Sequence, residues 1–429
     1  MYRVLNLIDF LVQGCEKVLP FIIKMGELVK GLFSNIVVNG MRKKVRKKKN
    51  DVVCDMLQCL SDFLFSTYEF RYNLLTEQTE FSLYNKGEYK IIGKREMNSI
   101  TLSAKNSGID CWDKDVHRVV YSESVEGYHP FADYFESLPI WDGTDRVGEL
   151  ARRVSDNELW VNSFHTWMRA TTAGWMGMRY TKGRANSVAP ILISKEQGWS
   201  KSTFCRMLMP NELKRYFTES YDLNSPTSAE GKLADFGLIN LDEFDKISAR
   251  KMAQLKNLMQ MSALNIRKTY QRDAKARHRI ASFIGTSNRT DLLTDMTGSR
   301  RFICVELEKP IDCDTPVEHA HLYAQLKTEI EQGERYWFTS EEETDIQENN
   351  KKYYRNTPEE EVFYSLFRFA NQDDEGAKIL TAAEIFKEML KKDRTALRGT
   401  NANSFSRLLP SMGKRIRTRF GNGYCVVRL

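Results

Sequence analysis

The stretch on which the fold turns is Ile191-Leu192-Ile193-Ser194-Lys195-Glu196-Gln197-Gly198-Trp199-Ser200-Lys201-Ser202-Thr203-Phe204. An apolar run of strand length meets a polar loop, and Thr203-Phe204-Cys205-Arg206-Met207-Leu208 then reads as the start of a helix. Such a loop cradles phosphate when backbone N–H groups face inward and a helix N-terminus stands behind them. It also needs a lysine for the β- and γ-phosphates and a hydroxyl for magnesium. Lys201 and Ser202 supply the last two, and Gly198, Trp199, Ser200 and Thr203 complete the candidate nucleotide contacts. The full pattern GxxxxGK[ST] is not met: Lys195 and Ser200 stand where its glycines would be. Taken alone, the segment reads equally well as an ordinary strand-to-helix turn with a surface lysine.

Three further segments follow in order. Phe236-Gly237-Leu238-Ile239-Asn240-Leu241-Asp242-Glu243 is an apolar strand ending in two acids, as magnesium-dependent phosphate-ester hydrolysis requires. One carboxylate, Asp242, holds the metal beside Ser202, and Glu243 polarises water. Ile280-Ala281-Ser282-Phe283-Ile284-Gly285-Thr286-Ser287-Asn288 is a second strand, ending in a polar side chain at the expected γ-phosphate. Gly298-Ser299-Arg300-Arg301-Phe302 offers two arginines, Arg300 and Arg301, one of which can reach a neighbouring subunit's nucleotide as an arginine finger. Short apolar runs alternating with helical stretches predict a three-layer α/β core with a mainly parallel sheet over residues 181–337.

Around that core the pattern changes. Within 51–180, Tyr68–Tyr72 and Tyr89–Ile92 read as half-buried strands, and 130–180 is helical and rich in tryptophan, an α+β region. Residues 338–357 suit a linker or exposed helix. In 358–429, Thr381 caps a helix over Ala382–Lys392, Asn403-Ser404 opens another, and a basic strand pair turns at Gly421-Asn422-Gly423. Helices followed by a hairpin predict a winged-helix-like domain, with Arg415, Arg417 and Arg419 on phosphate.

The composition excludes several classes. Of 429 residues, 41% are hydrophobic and 28% charged, with 24 Gly and 10 Pro, so the chain is neither disordered nor collagen-like. The eight cysteines form no CxxC and match no His pair, which argues against zinc and for reduced thiols in the cytoplasm. Residues 1–50 are apolar, then basic (Arg42 to Lys49), and Asp9, Glu16, Lys17, Lys24, Glu27 and Lys30 break every window long enough to span a membrane. The basic run is an arm for a polyanion or a solvated linker. Charge is segregated: +8 in residues 1–50 and +9 in 391–429 leave −10 between them, within a total of +7.

The order and wording of these segments resemble the virulence-associated protein E family of bacterial mobile elements and phages, P-loop ATPases close to superfamily 3 helicases. The resemblance rests on His129-Pro130-Phe131-Ala132-Asp133-Tyr134, Leu138-Pro139-Ile140-Trp141-Asp142-Gly143-Thr144-Asp145-Arg146, the loop at 197–204, Asp242-Glu243, Ile284–Asn288 and Gly298–Phe302. It implies ATP and Mg2+ as cofactors: Lys201 on the phosphates, Ser202 and Asp242 on magnesium, and Glu243 on the attacking water. Asn288 would be the γ-phosphate sensor and Arg300 or Arg301 the finger. It also implies a channel hairpin in the basic stretch Arg267–Arg279, with Lys268, Arg272 and Lys275 on single-stranded DNA. Trp141 is expected in the core. The function implied is an ATP-dependent DNA helicase, translocase or loader in mobile-element replication. It would act at single-stranded or fork DNA as a homo-oligomeric ring such as a hexamer. No polymerising acid set is evident in 51–180, so a primase would be a separate protein, and no membrane is involved. The alternative is a degenerate P-loop DNA-binding protein that recruits replication proteins without hydrolysing ATP.

Overall fold

The computed structural model describes residues 56–266, 275–293, 296–418 and 421–429. The extension 1–50 therefore lies outside the described residues. Helix α1 (Met56–Thr67) runs directly into β1 (Tyr68–Asn73), which pairs antiparallel with β2 (Gln78–Leu83). With β3 (Lys90–Ile91) and β4 (Gly127–Tyr128) they form a sheet of order β3-β2-β1-β4. Helices α2 (Lys94–Asn106) and α3 (Asp113–Val120) close this unit over Leu60, Leu64, Ile100 and Val116.

The chain then lays down α4 (Pro130–Glu136), α5 (Arg146–Arg152) and α6 (Glu158–Met176) before entering the main sheet. Its strands are β5 (Ala189–Ile193), β6 (Phe217–Thr218), β7 (Leu238–Leu241), β10 (Ser282–Ser287) and β11 (Phe302–Glu306). An antiparallel ribbon of β8 (Ala263–Ile266) and β9 (Lys275–His278) stands off it. The order is β11-β5-β10-β7-β6 and every pair is parallel. Alternate residues divide between two cores. Leu192, Ile284, Ile303 and Val305 join one, while Ile191, Ile193, Phe283, Phe302 and Cys304 join the other. Both faces are therefore covered, as a parallel sheet requires. One layer is α4, α5, α6, α7 (Lys201–Met207) and α10 (His319–Glu331). The other includes α8 (Pro226–Asp235) and α9 (Ala249–Gln260).

Two boundaries differ from those expected. Helices α4–α6, read as part of the N-terminal region, form a layer of the core because Phe131, Trp160, Phe164 and Trp167 bury against the sheet. Residues 338–357 are no linker: α11 (Ser340–Asn350) buries Ile346, and Asn350 Nδ2 donates to the carbonyls of Ser299 and Phe302. Pro190 does not break its strand. Pairing to β10 begins at Ile191, so the missing N–H falls at the strand's start, where it costs least.

The C-terminal unit has its own core around Phe363, Phe386, Phe405 and Tyr424. It runs α12 (Pro358–Tyr364), β12 (Phe367–Phe369), β13 (Lys378–Leu380), α13 (Ala382–Lys392), α14 (Ala402–Met412), β14 (Arg415–Thr418) and β15 (Gly421–Arg428). Strands β12, β13 and β14 all pair antiparallel with β15. Thr381 caps α13 as expected. Helix α14 begins earlier than Asn403-Ser404, because Asn401 accepts the Ser404 N–H at 2.9 Å. Residues 421–423 belong to β15 rather than to the turn.

Gly237, just before β7, faces the aromatic layer: a Cβ there would lie 2.6 Å from Phe131 Cζ and 3.0 Å from Trp175 Nε1. Both rings are buried, so neither can withdraw. Gly237→Ala is expected to cost about 1–3 kcal/mol by overpacking. The urea midpoint would fall while the slope of the transition stays unchanged.

Candidate nucleotide-binding site

The C-terminal ends of β5, β10 and β7 lie side by side, and the loop after β5 leads into α7. Gly198 and Ser200 in this loop both take left-handed backbone angles, φ +77° and +60°. Serine thus holds the conformation for which glycine is the usual residue, at a strain of about 1–3 kcal/mol. The loop's back is held by Trp199, half-buried against the core, whose carbonyl accepts the Ile311 N–H at 3.4 Å. Gly198 is exposed on the loop, and Thr203 is exposed on α7.

Lys201 is only 8% exposed. Its Nζ donates to the carbonyls of Ser194 (3.2 Å) and Glu196 (3.4 Å), across the inside of the loop. Burial holds its ammonium below the ordinary lysine range, partly offset by the charge of Asp242. Asp242, one residue beyond β7, gathers the neighbouring elements: its Oδ1 accepts Ser202 Oγ at 3.4 Å and Thr286 Oγ1 at 2.5 Å. Glu243 is exposed and left-handed (φ +52°), with Oε1 on Lys246 Nζ at 2.5 Å. Ser287 turns to the opposite face and donates to Asp245 Oδ1 at 2.9 Å. The sequence reading passed over Thr286 and Asp245. Thr286 was open to discovery, since in a strand ending at Asn288 the alternation puts residues 286 and 288 on one face. Asn288 itself is exposed just past β10.

Residues 135–355 match the family model described as the virulence-associated protein E-like domain. The chain belongs to the virulence-associated protein E-like family. Residues 356–426 match a second model, DUF3874, described as a domain of unknown function from B. Theta. No curated protein matches. Among solved structures, "The apo structure of NrS-1 C terminal region (305-718)" is similar at 14% identity and a TM-score of 0.44, over 89% of this chain and 100% of that one. "The A form apo structure of NrS-1 C terminal region-CTR(305-718)" follows at 13% and 0.42, over 87% and 100%.

Within the VapE-like domain the segment 138–146 is a brace. Trp141 is half-buried rather than core, and its Nε1 donates to the Thr144 carbonyl at 2.9 Å. Asp142 receives Arg146 through two bonds of 2.7 and 2.8 Å. Asp145 caps α5 and accepts Gln325 Nε2 at 2.9 Å, locking α5 to α10.

The arginines do not join this site. Arg300 and Arg301 precede β11, whose five residues separate them from the phosphate-loop end of the sheet by about 17 Å. Arg300 pairs with Glu343 of α11 at 2.8 Å, and Arg301 is half-buried. Lys275 opens β9 opposite Ile266, at the turn end of the β8–β9 ribbon, and lies 3.5 Å from Glu77 of the N-terminal unit. Lys268, Arg272 and Arg419 lie outside the described residues. Arg415 and Arg417 are exposed on β14. Among the described residues no helix is long and apolar enough to cross a membrane.

Two outcomes are expected. Ser200→Gly keeps the loop's shape and tightens nucleotide binding a few-fold by removing a Cβ from the cradle, whereas Ser200→Val, β-branched at positive φ, weakens it. Titration calorimetry with a non-hydrolysable ATP analogue reads both. An anion prefers the protonated Lys201, whose pKa is lowered, so wild-type affinity falls as pH rises, beginning below the ordinary lysine value. Lys201→Arg, charged throughout, stays flat over the same range.

Proposed function

We propose that this chain is an ATP-dependent DNA translocase, helicase or loader that serves replication of a mobile genetic element. The observation that carries the reading is the convergence on Asp242. A helix-terminal hydroxyl and a strand-end hydroxyl meet at one carboxylate, whose charge also reaches the buried Lys201 under a left-handed loop. Lys201 would hold the β- and γ-phosphates in place of the two carbonyls it now bridges. Ser202 and Asp242 are hard oxygen donors that fit Mg2+, and the metal supplies charge neutralisation at the phosphate oxygens. Glu243, released from Lys246, would orient the water that attacks the γ-phosphorus. Asn288, beside Thr286, is suited to sense that phosphate.

Arg300 and Arg301 stand at the wrong end of their own sheet for the phosphates of the same subunit. As an arginine finger they would act on a neighbouring subunit's nucleotide, in a homo-oligomeric ring. The C-terminal order, α12, β13, α13, α14, then the β14–β15 hairpin with β13 pairing onto β15, supports a winged-helix reading. Arg415 and Arg417 on β14 would grip DNA phosphates.

DNA-stimulated ATP hydrolysis tests the reading. Wild type is expected to turn over ATP, with Lys201→Ala and Glu243→Gln reduced by about a hundredfold or more. Wild-type turnover no higher than that of both variants would overturn the motor and leave a non-hydrolysing DNA-binding protein that recruits replication proteins.

A further inference from the structure

We propose that the N-terminal unit carries its own binding site for single-stranded DNA, in the cleft between α2 and α3. This unit precedes the family match, which begins at residue 135, and nothing in the nucleotide site uses it. The cleft encloses about 580 Å³, within the range of pockets that hold a nucleotide-sized ligand. Lys94, Lys114 and Arg118 line it, and Asp113 is the one acidic side chain among its lining residues.

Two neighbouring acids are engaged. Glu96 accepts the Gly93 N–H at 3.0 Å, capping α2. Asp115 accepts the Trp112 N–H at 3.0 Å, capping α3, and also takes Arg118 at 3.1 Å. Lys94 and Lys114 therefore face solvent as cations without a carboxylate partner from these caps, and Arg118 keeps further donors on its planar fork.

Aromatic surface accompanies the charge. Tyr121 is 45% exposed, its hydroxyl donating to the Ile92 carbonyl at 3.4 Å, so its ring is held at the cleft while one side stays open. The His117 ring lies 4.4 Å from it. Trp112, at the start of α3, is 66% exposed, with Lys105 Nζ 5.2 Å from its ring. Lysine and arginine for phosphate with open rings for stacking is the chemistry of a single strand, whose bases are unpaired. A duplex hides its base faces and would leave the rings unused. The chain's own N-terminal segment is no match for the cleft, since residues 1–50 carry a charge of +8.

The proposal rests on DNA being the working polyanion of this chain, and the test separates the two. Fluorescence anisotropy of the full chain with a labelled thymidine 20-mer compares three variants with wild type. Lys94→Ala/Lys114→Ala/Arg118→Ala is expected to bind roughly tenfold more weakly at 0.1 M salt. The slope of log K against log salt should shrink by about 2, from three lost phosphate contacts at about 0.7 each. Tyr121→Leu should lose roughly fivefold with the salt slope unchanged, because stacking releases no counterions. Arg415→Ala/Arg417→Ala reports the C-terminal contacts separately. Photo-crosslinking of a 4-thiothymidine strand to the unaltered chain should label a peptide within 94–121, and needs no substitution. Wild-type binding that is weakened only by the C-terminal variant, with no crosslink in 94–121, would overturn the cleft and leave the DNA reading standing. No binding by wild type would remove both. A duplex that competes better than the single strand for the 94–121 crosslink would also overturn the proposal.

Discussion

A Cβ on Gly285 would lie 2.9 Å from Ile191 Cδ1 and 3.1 Å from the Leu241 carbonyl oxygen. Strand β10 fits between β5 and β7 only because that position carries no side chain. The consequence is chemical as well as architectural. By the strand's alternation, the two residues after Gly285 present their hydroxyls to opposite faces. Thr286 meets Asp242 on one side and Ser287 meets Asp245 on the other. The strand thus ties the loop strand to the acidic strand at their ends, where an open α/β sheet binds ligands. Ser200 and Glu243, both left-handed, flank that junction. Strain at each is tolerable because the sheet is buried on both faces and leaves the ends no freedom to relax.

Much of this was legible because it is local. The strand–loop–helix at 191–208, the acids after an apolar run and the polar end of β10 are short patterns whose periodicity and termini identify them. The serine in place of glycine at 200 leaves the backbone as the pattern requires, since it adopts the glycine-like angle in any case. What could not be read depends on contacts between distant segments. Trp141 looks like a core residue by type, yet its position is set by the turn that Asp142 and Arg146 close and by Gln325, which lies far along the chain. The helices at 130–176 read as a separate region because nothing local says which face of which sheet will cover them. The same holds for α11: its acidic sequence suits solvent, but Ile346 and Asn350 bury against β11 and the turn before it.

The N-terminal unit is joined to the core by a buried carboxylate. Glu80 is 1% exposed and receives Arg71 at 2.8 Å, Arg215 at 2.6 Å and the Tyr128 hydroxyl at 2.8 Å. Burial alone would raise its pKa, but the hydrogen bonds from Tyr128, Arg215 and Arg71 outweigh it and hold the carboxyl below its ordinary range. Isolated, such a charge would cost several kcal/mol to bury; with two guanidinium groups it is matched, and removing either partner exposes the penalty. Asn73 extends the joint, donating to the Tyr216 hydroxyl at 2.7 Å. Arg215 and Tyr216 lie immediately before β6, and Glu219, just after it, pairs with Arg206 of α7 at 2.9 Å. A short strand therefore stands between the interdomain joint and the helix that carries Lys201 and Ser202. A shift of the N-terminal unit has a route, through β6 and this ion pair, to the candidate nucleotide site.

That route gives the uneven charge of the chain a physical sense. The 340 residues from 51 to 390 sum to −10, which would repel DNA if charge acted at long range. Screening at physiological salt confines each charge to about 8 Å, so a polyanion responds to local surfaces rather than to segment totals. Several carboxylates of the middle of the chain are engaged at helix caps and in ion pairs, among them Glu80, Glu96, Asp115, Asp142 and Glu342. Lys94, Lys114 and Arg118 are left forward on one unit, and Arg415 and Arg417 on another. Two basic surfaces on units with separate cores, connected through a sheet whose strand ends form the candidate nucleotide site, are the arrangement in which the proposed strand contact and nucleotide state would influence one another.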